Sequence, residues 1–126
     1  MPSGQFVLRA SSSLVVGDWV QIQLPNAVTA KGYQISNSQY AVGSWTLAGS
    51  TNGTTWTLLD SQGAVTNSSG AYVSGTALST TAVPIGALTS FTFTNSTSYT
   101  YYRFICRTSS SATAAFVGLN QLYILA

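Results

Sequence analysis

Residues 45–60 read WTLAGSTNGTTWTLLD, and this stretch decides the fold of the chain. The dipeptide Asn52-Gly53 is the strongest short signal of a two-residue type I′ hairpin turn, because Asn and Gly both tolerate positive φ. On each side of it, large apolar residues alternate with small or polar ones, as in half-buried strands. We therefore predict a β-hairpin whose core-facing side chains are Trp45 and Leu47 before the turn and Trp56 and Leu58 after it.

Similar period-2 patterns occur on both sides of the hairpin. Residues 18–24 form one such strand, which Pro25 is expected to end because proline cannot donate to a ladder. In residues 99–108, Tyr102, Phe104 and Cys106 share one face, and the other face carries Tyr101, Arg103, Ile105 and Arg107. Further strands are expected at residues 5–9, at 28–36 with a bulge at Gly32, at 90–94, and at 116–125 with a bulge between Leu119 and Leu122.

The strands are short, numerous and separated by turn signals, and no segment keeps a 3.6-residue period. This pattern predicts an all-β protein of about eight strands, an antiparallel sandwich or barrel, with residues 1–126 as a single domain. Residues 61–88 are the longest irregular segment. A loop of that length is often functional; alternatively it contains weak strands near residues 71–73 and 82–85.

The surface is expected to be polar but nearly uncharged. Charged residues make up 5% of the chain, against roughly 25% in an average soluble protein. The chain has 19 serines and 17 threonines, so hydroxyl groups must cover much of its surface. Such a surface suits a secreted or particle-surface protein better than a cytosolic one.

The few charges argue against several partners. The net charge of +2 comes from four bases, and binding a polyanion needs several clustered bases. We therefore expect no nucleic-acid binding and no anionic membrane surface as partner. No apolar run is long enough to span a bilayer, so no membrane insertion is expected. The N-terminus lacks a signal-peptide pattern, and an extracellular location would need another route, such as riding on a virus particle.

Catalysis is not expected from these residue types. The chain has no histidine, and its only carboxylates are Asp18 and Asp60, which we interpret as turn residues or arginine partners. The same shortage of ligands predicts no metal and no cofactor. Cys106 is the only cysteine, so no intrachain disulfide can form, and its β-type surroundings indicate a buried structural thiol.

The order of motifs resembles the discoidin-like domain, also called the coagulation-factor type C domain. The matching segments are GDWVQIQLP at residues 17–25, GYQI at 32–35, WTLAGSTNGTTW at 45–56, YYRF at 101–104 and VGLNQL at 117–122. They cover about residues 17–125. The QIQLP form is most similar to versions in phages and large DNA viruses.

The resemblance implies an eight-stranded jelly-roll sandwich without catalytic activity. Members of this family bind glycans, lipid headgroups or proteins through loops at one end of the fold. This chain departs from the family pattern in lacking the cysteine pair, the N-terminal segment that carries calcium in several members, and the histidine of one galactose site. It also has Gln121 where an acidic residue is common.

Loop aromatics with amide neighbours are the candidate ligand-binding residues, because sugars stack on aromatic rings and their hydroxyls hydrogen-bond to amides. The residues that fit are Asn37, Gln39 and Tyr40 in one loop and Asn67 and Tyr72 in another. Arg107, near a strand end, is a ligand contact or a structural residue. These loops could equally be solvated or serve as subunit contacts.

Other conspicuous residues have structural interpretations. Trp45 and Trp56 are expected in the core, with Asn52 and Gly53 as turn residues, whereas Trp19 shares a face with two glutamines and is expected to be partly exposed. Arg103 is expected to pair with Asp18, with Asp60 or with loop carbonyls.

Three functional hypotheses follow from the sequence. The first is a non-catalytic module displayed on a virus or phage particle (capsid, fibre or tail), at the virion surface, that contacts host-surface glycans. The second is a structural cement or decoration protein that joins capsid or tail proteins without a ligand. The third is a secreted cellular adhesion module. In each case a homo-oligomer or a larger assembly is expected, because a nearly neutral surface resists association only weakly.

Overall fold

The computed structural model describes residues 3–8, 13–37, 42–63, 65–66, 72–73, 86–109 and 119–126. Ten strands lie within these ranges: β1 (Ser3–Leu8), β2 (Ser13–Val28), β3 (Gly32–Asn37), β4 (Val42–Ser50), β5 (Thr57–Gln62), β6 (Val65–Thr66), β7 (Tyr72–Val73), β8 (Leu88–Thr92), β9 (Tyr99–Ser109) and β10 (Leu119–Leu125). The described residues contain no helix, so none there is long and apolar enough to cross a membrane. The all-β prediction is confirmed.

Two antiparallel sheets pack face to face. The larger has the strand order β1-β2-β9-β4-β5, and the smaller has the order β10-β3-β8. Strands β6 and β7 pair with each other as a separate two-stranded sheet; β6 approaches β5 and β7 approaches β2. One of the two weak strands expected in the long segment is thus β7, while residues 82–85 lie outside the described residues.

The core lies between the two large sheets and is dominated by aromatic rings. Trp45, Leu47 and Phe104 project from the larger sheet, and Tyr33 and Ile35 from the smaller one; all five are fully buried. The Trp45 and Phe104 rings stack with centroids 5.8 Å apart. Full burial of one such side chain contributes about 1.5–3 kcal/mol to the free energy of unfolding. The packing of these side chains therefore holds the two sheets together.

The predicted type I′ turn is wrong. The ladder between β4 and β5 ends at Gly49 and Thr57, so a longer loop joins the strands. In this loop the Asn52 side chain accepts hydrogen bonds from the backbone N–H groups of Thr54 (2.9 Å) and Thr55 (2.8 Å). Because the side chain satisfies these donors locally, the loop needs no two-residue turn. Gly53 does have a positive φ of 77°.

The longer loop also changes the register by one residue, and this moves side chains to the opposite face. Ala48 lies opposite Leu58. Trp45 and Leu47 therefore face the core between the sheets, whereas Trp56 and Leu58 pack on the outer face of the larger sheet. Leu59 alternates with Leu58 and packs in the core between the sheets, and the bulge at Leu59 then places Asp60 opposite Leu47. Trp56 is buried as predicted, but on the other side.

Two further strand predictions are corrected and one is confirmed. Strand β2 continues past Pro25, because its register on β9 shifts between Gln23 and Val28 and the missing N–H falls in that interruption.

Gly32 lies in regular register and forms no bulge. A Cβ there would lie 2.6 Å from the carbonyl oxygen of Phe91, so glycine is required for close backbone approach. The bulge in the closing strand occurs as predicted, between Leu119 and Gln121.

Gly49 provides a test of this packing. A Cβ at Gly49 would lie 2.6 Å from Cδ2 of Tyr99, whose ring lies against the backbone of β4. We expect Gly49→Ala to lower the free energy of unfolding by about 1–3 kcal/mol, as overpacked sites do. Urea denaturation followed by tryptophan fluorescence measures this change.

The control is the same substitution in a Tyr99→Ala background, where the obstructing ring is gone. There, Gly49→Ala should cost much less than in the natural chain. An equal loss in both backgrounds would contradict the proposed clash.

Candidate functional site

Several strands end together at one end of the sandwich. Asn37 lies opposite Leu119, Ser36 opposite Leu88, Val42 opposite Ser109, and Trp45 opposite Gln62. The connection from β3 to β4 and the segments that follow β5 and β9 therefore all leave the sheets at this end. We call it the loop end.

The structure places three of the predicted ligand residues by their backbone. Asn37 is the last residue of β3, and Arg107 lies near the end of β9, so both belong to the loop end. Tyr72 lies in β7, opposite Thr66. The other three candidates, Gln39, Tyr40 and Asn67, lie outside the described residues.

The opposite end of the sandwich is closed by hydrogen bonds. The Tyr102 hydroxyl donates to the carbonyl of Val28 (2.5 Å) and accepts from the Ala30 N–H (3.2 Å). The Asn95 amide donates to the carbonyl of Ala30 (3.1 Å), and the Lys31 ammonium donates to the Asn95 carbonyl. Buried polar groups that are satisfied in this way stabilise a single conformation, so this end is structural.

A buried chain of hydrogen bonds joins the two sheets. Trp45 Nε1 donates to the Tyr33 hydroxyl (2.7 Å), which donates to Asp60 Oδ2 (2.6 Å). The Gln62 amide also donates to Asp60 (3.2 Å to Oδ2). Burial, and then the Asp60 charge, raise the pKa of Tyr33 well above its ordinary value. Tyr33 is fully buried, so this group cannot reach a substrate and serves as a structural link.

Arg103 lies between two tryptophan rings on the outer face of the larger sheet. Its guanidinium carbon is 4.0 Å from the centroid of Trp19 and 4.1 Å from that of Trp56. Its Nη2 donates to Gln21 Oε1 at 2.8 Å. Burial lowers the pKa of Arg103. Of the partners expected for Arg103, Asp60 is wrong, because Asp60 is bonded to Tyr33 and Gln62. The Asp18 side chain lies outside what the structure describes. The two tryptophan rings hold the guanidinium by stacking.

The sequence pattern could have predicted only part of this stack, the contact between Trp19 and Arg103. Gln21 lies directly opposite Arg103, and Trp19 lies two pairs further along the same two strands, on the same face. A pattern reading that pairs these strands in register would place Trp19 near Arg103. Trp56 joins them only because the register of β5 brings it to the outer face.

Sequence reasoning missed the outer face of the smaller sheet. Tyr123 and Leu88 are the large apolar side chains exposed there, at 46% and 50%. The signal was present, because Tyr123 falls in the polar phase of its strand, between the inward-facing Leu122 and Ile124. Strands β3, β8 and β10 also contain no charged residue.

No known protein family matches the chain, and no curated protein matches it. The likeness to the discoidin-like domain therefore remains a prediction from the motifs. Among the described residues, no group of three His, Cys, Asp or Glu side chains could hold a metal ion.

The Trp45–Tyr33–Asp60 link should govern stability at alkaline pH. Well below pH 10 the Tyr33 hydroxyl is protonated in both the folded and unfolded states, because an unfolded tyrosine has a pKa of about 10. Above pH 10 it ionises in the unfolded chain first, because its pKa is raised in the folded protein. The free energy of unfolding should therefore fall by up to about 1.4 kcal/mol per pH unit for this group.

Tyr33→Phe should remove this share of the alkaline decline, leaving a smaller one from Tyr102, whose pKa burial also raises. At neutral pH it should cost about 1–3 kcal/mol, because Trp45 Nε1 loses its buried acceptor. Tyr123→Phe is the control, since the Tyr123 hydroxyl is exposed and should matter little. Urea denaturation between pH 7 and 11 measures both effects; an unchanged slope in Tyr33→Phe would contradict the assignment.

The stacking of Arg103 predicts a second stability effect. Arg103→Met keeps much of the apolar stem but removes the cation from between the two rings, and should cost about 1–2 kcal/mol. Gln21→Ala removes only the hydrogen-bond partner and should cost less. Urea denaturation compares the two variants, and an Arg103→Met protein as stable as the natural chain would rule out a contribution from the stack.

Proposed function

We propose that this protein is a non-catalytic, discoidin-like binding module with a jelly-roll fold, displayed on the surface of a virus or phage particle, where it contacts host-surface glycans. The observation that carries the proposal is the convergence of strand ends at the loop end. Asn37 and Arg107 belong to it by their backbone positions, and the connection that contains Gln39 and Tyr40 begins there.

The difference between the two ends of the sandwich supports this assignment. One end is tied by the Tyr102 and Asn95 hydrogen bonds and leaves little room for adaptation. The loop end instead collects segments rich in amides, hydroxyls and aromatic residues. A rigid scaffold that presents such loops is the common arrangement of binding proteins.

The chemistry of the described residues favours binding over catalysis. Asp60 is held by Tyr33 and Gln62, and the Cys106 side chain is buried among core residues. Both side chains therefore have structural contacts. A chain with 5% charged residues and no histidine instead suits recognition of a neutral ligand by stacking and hydrogen bonds.

The proposed location and partners follow from the same features. A surface covered with hydroxyls and nearly free of charge suits an extracellular or virion-surface protein, in which capsid or tail proteins or further copies of the chain would be neighbours. The QIQLP segment, similar to phage and viral forms of the domain, supports the particle setting.

A glycan array tests the proposal. The natural protein should bind at least one class of host-surface glycan, and Tyr40→Ala and Gln39→Ala should each reduce that binding roughly tenfold or more. Gln23→Ala is the matched control, because it removes an exposed amide from the outer face of the larger sheet. Its binding should stay within about twofold of the natural protein, a change of less than ~0.5 kcal/mol.

A blank array would overturn the proposal. If particles that lack the chain were also unstable, the structural role as a cement protein would replace it. Binding that survives in both loop variants would exclude the loop around Tyr40 as the site.

A further inference from the structure

The outer face of the smaller sheet carries a row of three side chains across its strands. Tyr123 of β10 lies opposite Gln34 of β3, which lies opposite Ser90 of β8. Neighbouring strands are about 4.8 Å apart, so the row spans roughly 10 Å. The face is open to solvent, since Tyr123 is 46% exposed and Ser90 is exposed as well.

The Tyr123 ring is held in place. The Gln121 side chain, two residues earlier on the same face, donates to the Tyr123 hydroxyl at 3.2 Å. Because nearly half of the side chain stays exposed, a ligand can reach the ring surface as well as the hydroxyl group. A preordered ring loses little conformational entropy when a ligand stacks on it.

The polar groups around the ring keep both donors and acceptors for a ligand. Gln34 Nε2 donates to Ser90 Oγ at 3.0 Å, which fixes this amide beside the ring. The Gln34 Oε1 atom then remains an acceptor facing no protein donor among the described residues. The Ser90 and Tyr123 hydroxyls both accept in these bonds, so their own hydrogens remain available.

The absence of charge narrows the ligand class. No charged residue occurs in β3, β8 or β10, so this face offers no cation to an anionic ligand and no carboxylate to a metal ion. A flat aromatic ring beside uncharged donors and acceptors matches a polyhydroxylated ring compound. Its C–H face can stack on the tyrosine while its hydroxyls, each a donor and an acceptor, bond to the amides and Ser90.

We propose that this face is a second carbohydrate-binding surface, centred on Tyr123 with Gln34, Ser90 and Gln121, that takes an uncharged oligosaccharide. The row is about 10 Å long, which is room for a disaccharide unit laid across the strands. This surface lies on the outer face of the smaller sheet and reaches the loop end at Gln121, which is opposite Ser36. The proposal does not depend on the proposed function of the loops.

The test titrates the full chain, labelled with nitrogen-15, with four neutral hexasaccharides: cellohexaose, maltohexaose, mannohexaose and chitohexaose. A heparin hexasaccharide is the anionic comparator. At least one neutral compound should shift the amide signals of β10, β3 and β8 around Tyr123. The heparin compound should leave these signals in place.

Substitutions then assign the binding. Tyr123→Ala should weaken it roughly tenfold, and Tyr123→Trp should retain it, because the tryptophan ring also stacks. Gln34→Ala should weaken it several-fold. Leu88→Ala is the matched control, an equally exposed apolar residue on the same face that should change the affinity less than about twofold. Tyr40→Ala, in the loop, should leave these shifts unchanged, so that failure of one site is distinguished from failure of the other.

Three outcomes would overturn the proposal. The first is that no neutral hexasaccharide shifts these signals. The second is that Tyr123→Ala, still folded by circular dichroism, binds as well as the natural chain. The third is that the protein alone sediments as a dimer and that both Tyr123→Ala and Leu88→Ala make it monomeric, since a second copy of the chain would then cover this face.

Discussion

The structure depends on the buried hydrogen-bond chain from Trp45 through Tyr33 to Asp60. Packing alone would hold two apolar sheet faces together in many similar arrangements. A tryptophan N–H and a tyrosine O–H buried between the sheets are costly unless each meets its partner. The hydrogen-bond chain gives both groups a partner: the Trp45 N–H donates to Tyr33 at 2.7 Å, and the Tyr33 O–H donates to Asp60 at 2.6 Å. The two donors are on β4 and β3, and the final acceptor is on β5. The hydrogen-bond chain thereby selects one alignment of the sheets.

That alignment also separates the two ends and the two outer faces of the molecule. At the end of the sandwich opposite the loop end, the polar groups around Tyr102 and Asn95 are bonded to one another. On the outer face of the larger sheet, the stack of Trp19, Arg103 and Trp56 covers part of the surface. The two surfaces proposed for binding are the loop end and the outer face of the smaller sheet. Both are nearly uncharged in sequence, which is consistent with a neutral ligand rather than a polyanion.

The candidate sites differ in how far sequence reasoning could reach them. The loop candidates were found from composition, because aromatic residues among amides stand out between strands. The Tyr123 face was missed, although Tyr123 falls in the polar phase of its strand, between the inward-facing Leu122 and Ile124. The exposed fraction of that side chain and its register beside Gln34 show that it faces solvent. The contact of Trp56 with Arg103 was missed as well, because the Asn52-Gly53 dipeptide predicted a two-residue turn and therefore the wrong register between β4 and β5.

The sequence by itself determined the all-β class, most of the strands, the buried faces of β4 and β9, and the bulge between Leu119 and Gln121, because side-chain periodicity is a local property. Only the tertiary structure decided that Asn52 caps its loop, that Pro25 lies within a strand, that Gly32 and Gly49 are required by close neighbours, and which face Trp56 occupies. Apart from the Asn52 cap, which is local, these features depend on which strand lies opposite which. A shift of one residue reverses every face without changing the local pattern, so periodicity cannot choose between the two registers.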